Sequence, residues 1–246
     1  MKSLSEKYFS LLGASTSTFD GFSNSELYNT TITNNVPYYP KTEWLNDPCD
    51  TWWMRTIQKL NMQLCVNNSW SGSCVTTMVD GTEKAGCMKR ATELHNDTLE
   101  IEPDIIILII GGNDALRGYD IGFYNGVDDI YDQTTKNYIG DCSMFGQAYA
   151  TMVHKAKNRY PNADIYVCSM LNWDVKKHNK GLLEYNDVIQ KIAEEFQVVY
   201  VDFYNNTKIS PETANIYLHA DGIHPNKYGF EQMSDCLIKV LKSKYT

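Results

Sequence analysis

The chain has 246 residues, a formal net charge of -8 and an apolar fraction of 43%. That length and apolar content suffice for one large core and exclude disorder. The acidic balance leaves no basic stripe to displace counterions from nucleic-acid phosphates, and no apolar run reaches membrane-spanning length.

From the amino end, Met1 to Lys7 lacks the apolar region of a signal peptide, so a soluble, cytoplasmic setting is expected. Tyr8-Phe9-Ser10-Leu11-Leu12 reads as a buried strand running into the small-residue turn Gly13-Ala14-Ser15-Thr16-Ser17-Thr18. Ser15 then stands at the carboxyl edge of that strand; helix capping by Ser15, Thr16 or Ser17 is the alternative use of such a residue. Gly21 to Asp50 is polar and irregular, a long surface excursion that carries Pro37-Tyr38-Tyr39-Pro40 and Trp44. Cys49 to Asn61 has the spacing of a helix, with Trp52, Trp53, Ile57 and Leu60 on one face and Asp47 or Asp50 as its cap. Gln63 to Asn67 is the second strand, and Gly72 falls just beyond it, where a glycine serves a turn or lets a backbone N–H approach a ligand.

Residues 74–100 read as loop with a short helix over Ala91 to Leu99. Asp104 to Ile110 is an unbroken β-branched run, which makes sense as the centre of a sheet covered on both faces. It ends in Gly111-Gly112-Asn113-Asp114, where Asn113 offers a side-chain N–H or accepts a left-handed turn. Leu116 to Ile139 is a second irregular excursion, acidic and Tyr-rich, and residues 117–139 are a candidate rim or lid. Helix Phe145–Arg159 is stopped by Pro161; a fourth strand covers Ala163 to Met170, a helix Leu182 to Phe196, a fifth strand Val198 to Phe203 and a last helix Tyr228 to Leu241. Five strands alternating with helices predict an α/β fold with a parallel, doubly wound sheet.

The basic cluster Lys176-Lys177-His178-Asn179-Lys180 is short enough for a solvated loop. Seven cysteines (49, 65, 74, 87, 142, 168 and 236) form no C-x-x-C pair and read as mostly buried thiols, with a Cys74–Cys87 loop disulfide as the alternative in an oxidising setting. The Asn-x-Ser/Thr matches at Asn29, Asn67, Asn96 and Asn205 read as by-products of an Asn-rich composition.

Asp221-Gly222-Ile223-His224-Pro225 is the one place where a carboxylate and an imidazole sit three residues apart in a turn. Gly222 permits the sharp bend, and Pro225 has the φ of a first helical turn, so His224 is expected at a loop-to-helix junction. If Asp221 accepts from one ring nitrogen, the other becomes a general base that needs a nucleophile. In open parallel sheets ligands lie beyond the carboxyl ends of the strands, where Ser15, Gly72, Asn113 and the Asp221/His224 turn all converge. Together they would perform acyl transfer: Ser15 attacks, His224 takes its proton, Asp221 orients the imidazole, and the Ser15 and Gly72 backbone N–H groups with the Asn113 amide hold the oxyanion. Ser17 and His219 are the fallback nucleophile and base.

These blocks, Gly13-Ala14-Ser15, Gly72, Gly111-Gly112-Asn113-Asp114 and Asp221-Gly222-Ile223-His224-Pro225, resemble those of the SGNH hydrolases, or GDSL esterases and lipases, over residues 8 to 241. The resemblance implies a flavodoxin-like three-layer α/β/α sandwich with a five-stranded parallel sheet, a single domain over 1–246, no metal, no cofactor and hydrolysis of acyl esters. Ala14 departs from the pattern, since that family places an aspartate before the nucleophile. The aromatic excursions favour a carbohydrate ester as partner, with short acyl groups such as acetyl removed from sugar hydroxyls and Trp70, Trp173 and Tyr119 as substrate-binding candidates. A lysophospholipase or thioesterase is the competing enzyme, and a non-catalytic glycan-binding module the competing class.

Overall fold

The computed structural model describes residues 3–19, 31–32, 38–39, 45–78, 84–173 and 181–245, with 31–32 as backbone only. Trp44 and the basic cluster at 176–180 lie outside them. The strands are β1 Tyr8–Gly13, β2 Thr31–Ile32, β3 Gln63–Ser69, β4 Ile105–Ile109, β5 Tyr131–Asp132, β6 Asn137–Tyr138, β7 Asp164–Cys168 and β8 Val199–Val201. The α-helices are α1 Trp52–Lys59, α2 Gly112–Arg117, α3 Phe145–Arg159, α4 Leu182–Phe196, α5 Phe203–Asn206, α6 Ala214–Tyr217 and α7 Lys227–Tyr245.

All five expected strands form, and they pair in parallel in the order β3-β1-β4-β7-β8, with the two-residue β2 added at the β3 edge. The chain first winds outward from β1 to β3, then crosses back over β1 to β4 and continues to β8. The direction of winding therefore reverses at the β1/β4 junction, which opens a crevice at the carboxyl ends of those two strands. Ile105, Ile106, Ile107 and Leu108 of β4 are fully buried, as a central strand covered by helices on both faces requires. The long helices pair as α1 with α7 and α3 with α4. Among the described residues no helix is long and apolar enough to cross a membrane.

Several local expectations are corrected. Thr51, not Asp47 or Asp50, caps α1, accepting from Met54 N, while Asp47 caps a preceding 3₁₀ turn at Pro48–Asp50. No α-helix covers 91–99: a 3₁₀ turn at Lys89–Thr92 gives way to irregular chain and a turn closed by the Asn96–Ile101 bridge, because Leu94 N donates to Tyr160 Oη and Leu94 O accepts from Ser10 Oγ. Core side chains there satisfy the backbone that a helix would have satisfied. The excursion after Leu116 is less irregular than expected. It carries the end of α2, a 3₁₀ turn at Val127–Asp129 and the β5/β6 hairpin, and it docks on the start of α3 through Phe145 N to Asp120 O and Gly146 N to Ile121 O.

None of the seven cysteines is in a disulfide. Cys74 and Cys87 do not pair, because Cys74 Sγ takes a hydrogen bond from Arg117 and the Cys87 thiol lies against that of Cys142. Pro225 does not open the last helix. It forms an antiparallel bridge with Leu218, and Asn226 caps α7 by accepting from Tyr228 N and Gly229 N.

That bridge seats the His224 turn against α7 at Gly229, where an added Cβ would overlap Tyr217 O and Pro225 Cβ. Gly229→Ala is therefore expected to destabilise the protein by about 1–3 kcal/mol, as overpacking does, with loss of the bridge geometry; a urea midpoint equal to that of the parent chain would contradict this.

Candidate active site

Beyond β1 the chain enters a 3₁₀ turn, Ser15–Ser17, whose carbonyls are all tied by side chains. Thr18 Oγ1 donates to Ser15 O at 2.8 Å, the indole of the fully buried Trp52 to Thr16 O at 3.1 Å, and Asn67 Nδ2 to Ser17 O at 2.9 Å. The turn is thus held from α1 and from β3 at once, and Ser15 is left with little rotational choice.

His224 arrives from the other end of the chain. Its Nε2 lies 2.8 Å from Ser15 Oγ and its Nδ1 2.7 Å from Asp221 Oδ2. An ionised carboxylate only accepts, so Nδ1 carries the ring proton and Nε2 is free to take one from Ser15. Gly222 adopts φ 75° in this turn, a left-handed conformation that favours glycine. Asp221 Oδ1 accepts from Ile223 N and His224 N, and Oδ2 accepts from the imidazole and from Tyr38 Oη at 2.9 Å, so donors fill both oxygens. Burial alone would raise the Asp221 pKa, but these hydrogen bonds outweigh it and hold the carboxyl well below its ordinary range. For His224 burial dominates and lowers the pKa, against the opposing pull of Asp221. The imidazole is therefore neutral, as a base must be, at neutral pH.

Asn113 stands at the start of α2, where Gly111 takes φ 123° to turn the chain off β4. One amide hydrogen of Asn113 reaches Ser73 O at 2.9 Å, and the second remains for a ligand. Gly72 lies in the turn at 70–73, with φ 75° and open space where a side chain would stand. That turn is roped to β1, the strand that leads to Ser15, through Trp70 N to Gly13 O. Just beyond it, the buried Asp114 accepts from Val75 N, Thr76 N and Thr76 Oγ1 at 2.8–3.1 Å. Burial raises its pKa against the pull of those donors.

Ser15, Asn113 and His224 border one cavity of about 70 Å³ at the carboxyl edge of β1, β4 and β7. Ile110, Leu116, Met170 and Trp173 form much of the rest of its wall, so it is small and largely apolar. Of the expected substrate-binding aromatics only Trp173 lines it. Trp70 instead donates its indole N–H to Asn68, and the Tyr119 carbonyl accepts from Tyr185 Oη. No residue of 117–139 is among those that line this cavity. The fallback Ser17 is fully buried, and His219 contributes its backbone N–H to His224 O. Among the described residues no group of three or more His, Cys, Asp or Glu side chains could hold a metal ion.

The residues that sequence reading missed are the supports: Thr18, Trp52, Asn67, Arg90 and Tyr38. Arg90 is buried and donates to Gly13 O at 2.7 Å and Asn68 O at 2.6 Å, and burial lowers its pKa to about 9. A lone arginine in a loop-like stretch gave no sign of this. The doubled tyrosine between two prolines was the only signal for Tyr38.

Residues 7–241 match the model of the family described as GDSL-like Lipase/Acylhydrolase. A multidomain esterase from Ruminococcus flavefaciens is 27% identical over 134 residues, which are 53% of this chain and 14% of that protein. The crystal structure of a candidate GDSL-like lipase from Bacteroides ovatus aligns with a TM-score of 0.67 at 27% identity, over 96% of this chain and 98% of that one. A family two carbohydrate esterase from Clostridium thermocellum, solved in complex with cellohexaose, shares the fold with a TM-score of 0.59 at 18% identity, over 99% of this chain and 66% of that one.

Replacing one Asp114 oxygen with an amide turns donor against donor at Val75 or Thr76. Asp114→Asn is expected to cost about 1–3 kcal/mol, the range for a buried group left unpaired, measured by urea unfolding; an unchanged unfolding free energy would show the 75–76 loop to be held by other means.

Proposed function

This chain belongs to the GDSL-like lipase/acylhydrolase family, and from that premise we propose that it is a serine esterase acting on short O-acyl esters through Ser15, His224 and Asp221. The observation that carries the reading is the single imidazole within hydrogen-bond reach of both the Ser15 hydroxyl and the Asp221 carboxylate.

Ser15 Oγ attacks the ester carbonyl while its proton passes to His224 Nε2. Asp221 fixes the tautomer and faces the imidazolium that forms. The Ser15 and Gly72 N–H groups and the second Asn113 amide hydrogen take the oxyanion, and each such donor is worth roughly 3 kcal/mol of barrier. Collapse of the tetrahedral intermediate expels the alcohol, which takes the proton from His224, and leaves Ser15 acylated. Water then enters by the same route, with His224 as base, to release the acid. Ala14 does not interrupt this sequence, since none of its steps uses a carboxylate at that position.

The small apolar cavity favours acetyl-sized groups on the acyl side. The alcohol would leave on the solvent side of His224, on which the partly exposed Tyr38 ring is stacked. A hydroxyl-rich alcohol such as a sugar suits that side. A lysophospholipase or long-chain thioesterase would need a larger apolar volume than the cavity supplies. The named activities of the esterase relatives agree with an ester substrate, and the cellohexaose bound to the Clostridium protein adds a precedent at the level of fold alone. The chain spans only a small part of its multidomain relative, so a polymeric substrate would also depend on whatever else accompanies this domain.

Ser15→Ala is expected to lower kcat on p-nitrophenyl acetate by at least about 10³-fold and to abolish labelling by a fluorophosphonate probe. No labelling of the parent chain, with a glycan still bound, would favour a binding module instead. Across p-nitrophenyl esters, faster turnover of C8 than of C2 would overturn the short-acyl assignment. The acid limb follows from the His224 shift: its pKa is displaced below the ordinary value of about 6.5, so the rate holds through neutrality and falls in more acid solution as the base is protonated. A rate constant down to about pH 4 would contradict a histidine base.

A further inference from the structure

Tyr38 does more than stand near the opening. Its ring lies flat on the His224 imidazole, with centroids 3.7 Å apart and planes 14° from parallel. Its hydroxyl donates to the same Asp221 oxygen that accepts from His224 Nδ1. Its backbone N–H donates to Thr18 Oγ1 at 2.7 Å, and that hydroxyl in turn donates to Ser15 O. Beside it the buried Tyr39 sends its hydroxyl to Pro225 O and meets Tyr38 edge-on at 5.1 Å. One residue therefore touches His224 and Asp221 directly and is tied to Ser15 through the Thr18 hydroxyl, from a segment that contributes none of the three.

We propose that Tyr38 is a positioning residue of this esterase: its ring braces the face of His224, its hydroxyl fixes Asp221, and its backbone anchors both to the Ser15 turn. The proposal rests on the catalytic reading of Ser15, His224 and Asp221 given above. When Ser15 gives up its proton His224 becomes a cation, and an aromatic face stacked on it favours that charged state. The hydroxyl draws charge from Asp221, so the carboxylate holds the imidazole in place without raising its basicity as far as a bare carboxylate would. Tyr38 has a raised pKa of about 12, from burial first and then Asp221, and so stays a donor throughout the working range. The groups that face His224 are Asp221 on its own turn, Ser15, Tyr38 and Tyr39, with His219 near enough to oppose its protonation.

Two variants separate the hydroxyl from the ring. Tyr38→Phe keeps the stack and loses the hydrogen bond to a charged group: kcat is expected to fall roughly tenfold with KM within about twofold, and the acid limb of kcat/KM to move up by about half a pH unit as the less-solvated Asp221 holds the imidazolium more firmly. Tyr38→Leu loses both contacts, and kcat is expected to fall roughly 10²-fold. In an Asp221→Asn background the Tyr38→Phe change should have little further effect, since the two act through one contact. Thermal unfolding followed alongside checks that both variants fold. If Ser15→Ala is inactive while both Tyr38 variants keep the parent kcat and acid limb, Tyr38 has no positioning role and the catalytic reading stands. A rise in KM alone would make Tyr38 a substrate contact and overturn the proposal. Full activity in Ser15→Ala would instead remove the catalytic reading on which it rests.

Discussion

Gly13 at the end of β1 lies level with Ser69 on β3 and with Ile109 on β4, and this shared height governs where the chemistry can be. The loops that carry Ser15, Gly72 and Asn113 leave the sheet from one rung, at the point where the winding reverses. The register is not a simple count from the strand starts. Phe9 pairs with Leu64 but Ser10 with Val66, so β3 carries a bulge at Cys65. Without that extra residue Gly13 would meet Asn68, and the two faces of β3 beyond the bulge would exchange. Asn67, which now reaches Ser17 O, would then turn away from the Ser15–Ser17 turn, and Asn68 would lose its place above Glu93 and Arg90.

Two buried ionisable side chains, Arg90 and Asp114, act on the loop between β3 and residue 76. Arg90 binds carbonyls at its base, Gly13 O and Asn68 O, and Asp114 binds N–H groups at its far end, Val75 and Thr76. Burying such groups is costly, and burial shifts both pKa values toward the neutral form. Each of these side chains nevertheless fixes two backbone groups at once. The loop that holds Gly72 is also tied by neutral hydrogen bonds, Trp70 N to Gly13 O and Asn113 to Ser73 O, and anchored by the fully buried Val75.

The strands were legible because each is a short apolar run bounded by turn residues. The β-branched Asp104–Ile110 stretch in particular admits no reading but a strand buried on both faces. The long helices α3 and α4 were legible to the residue, since each has apolar spacing over many turns and a clear stop. The false helix at 91–99 shows where that logic ends: its backbone groups are claimed by Tyr160 and Ser10, which lie far away in sequence and carry no local signal. The same holds at the site. The residues proposed to carry the chemistry stand in recognisable turns, so they could be named: Ser15, His224 and Asp221 meet through hydrogen bonds, and Asn113 borders the same cavity. Residues that hold them there do so through single side-chain contacts over long separations, such as Trp52 to Thr16 and Tyr38 to Asp221, and no spacing rule encodes those. Trp70 and Tyr119 failed as cavity residues for the converse reason: aromatic content marks a loop as packed, not which way each ring faces.

Asp221 is about a third exposed, whereas His224 is mostly covered, and the difference bears on what the carboxylate contributes. At such an exposure water screens much of its charge, so attraction alone would hold the imidazole weakly. What screening does not weaken is direction. Two backbone N–H groups of its own turn fix Oδ1, which leaves Oδ2 aimed at Nδ1 with little freedom, and Tyr38 closes the remaining side. The orientation of His224 toward Ser15 is therefore set by a rigid hydrogen-bonded frame, while its neutrality is set separately by burial. The two properties a general base needs, aim and a pKa below the working pH, thus come from different parts of the turn, and each can be disturbed without the other.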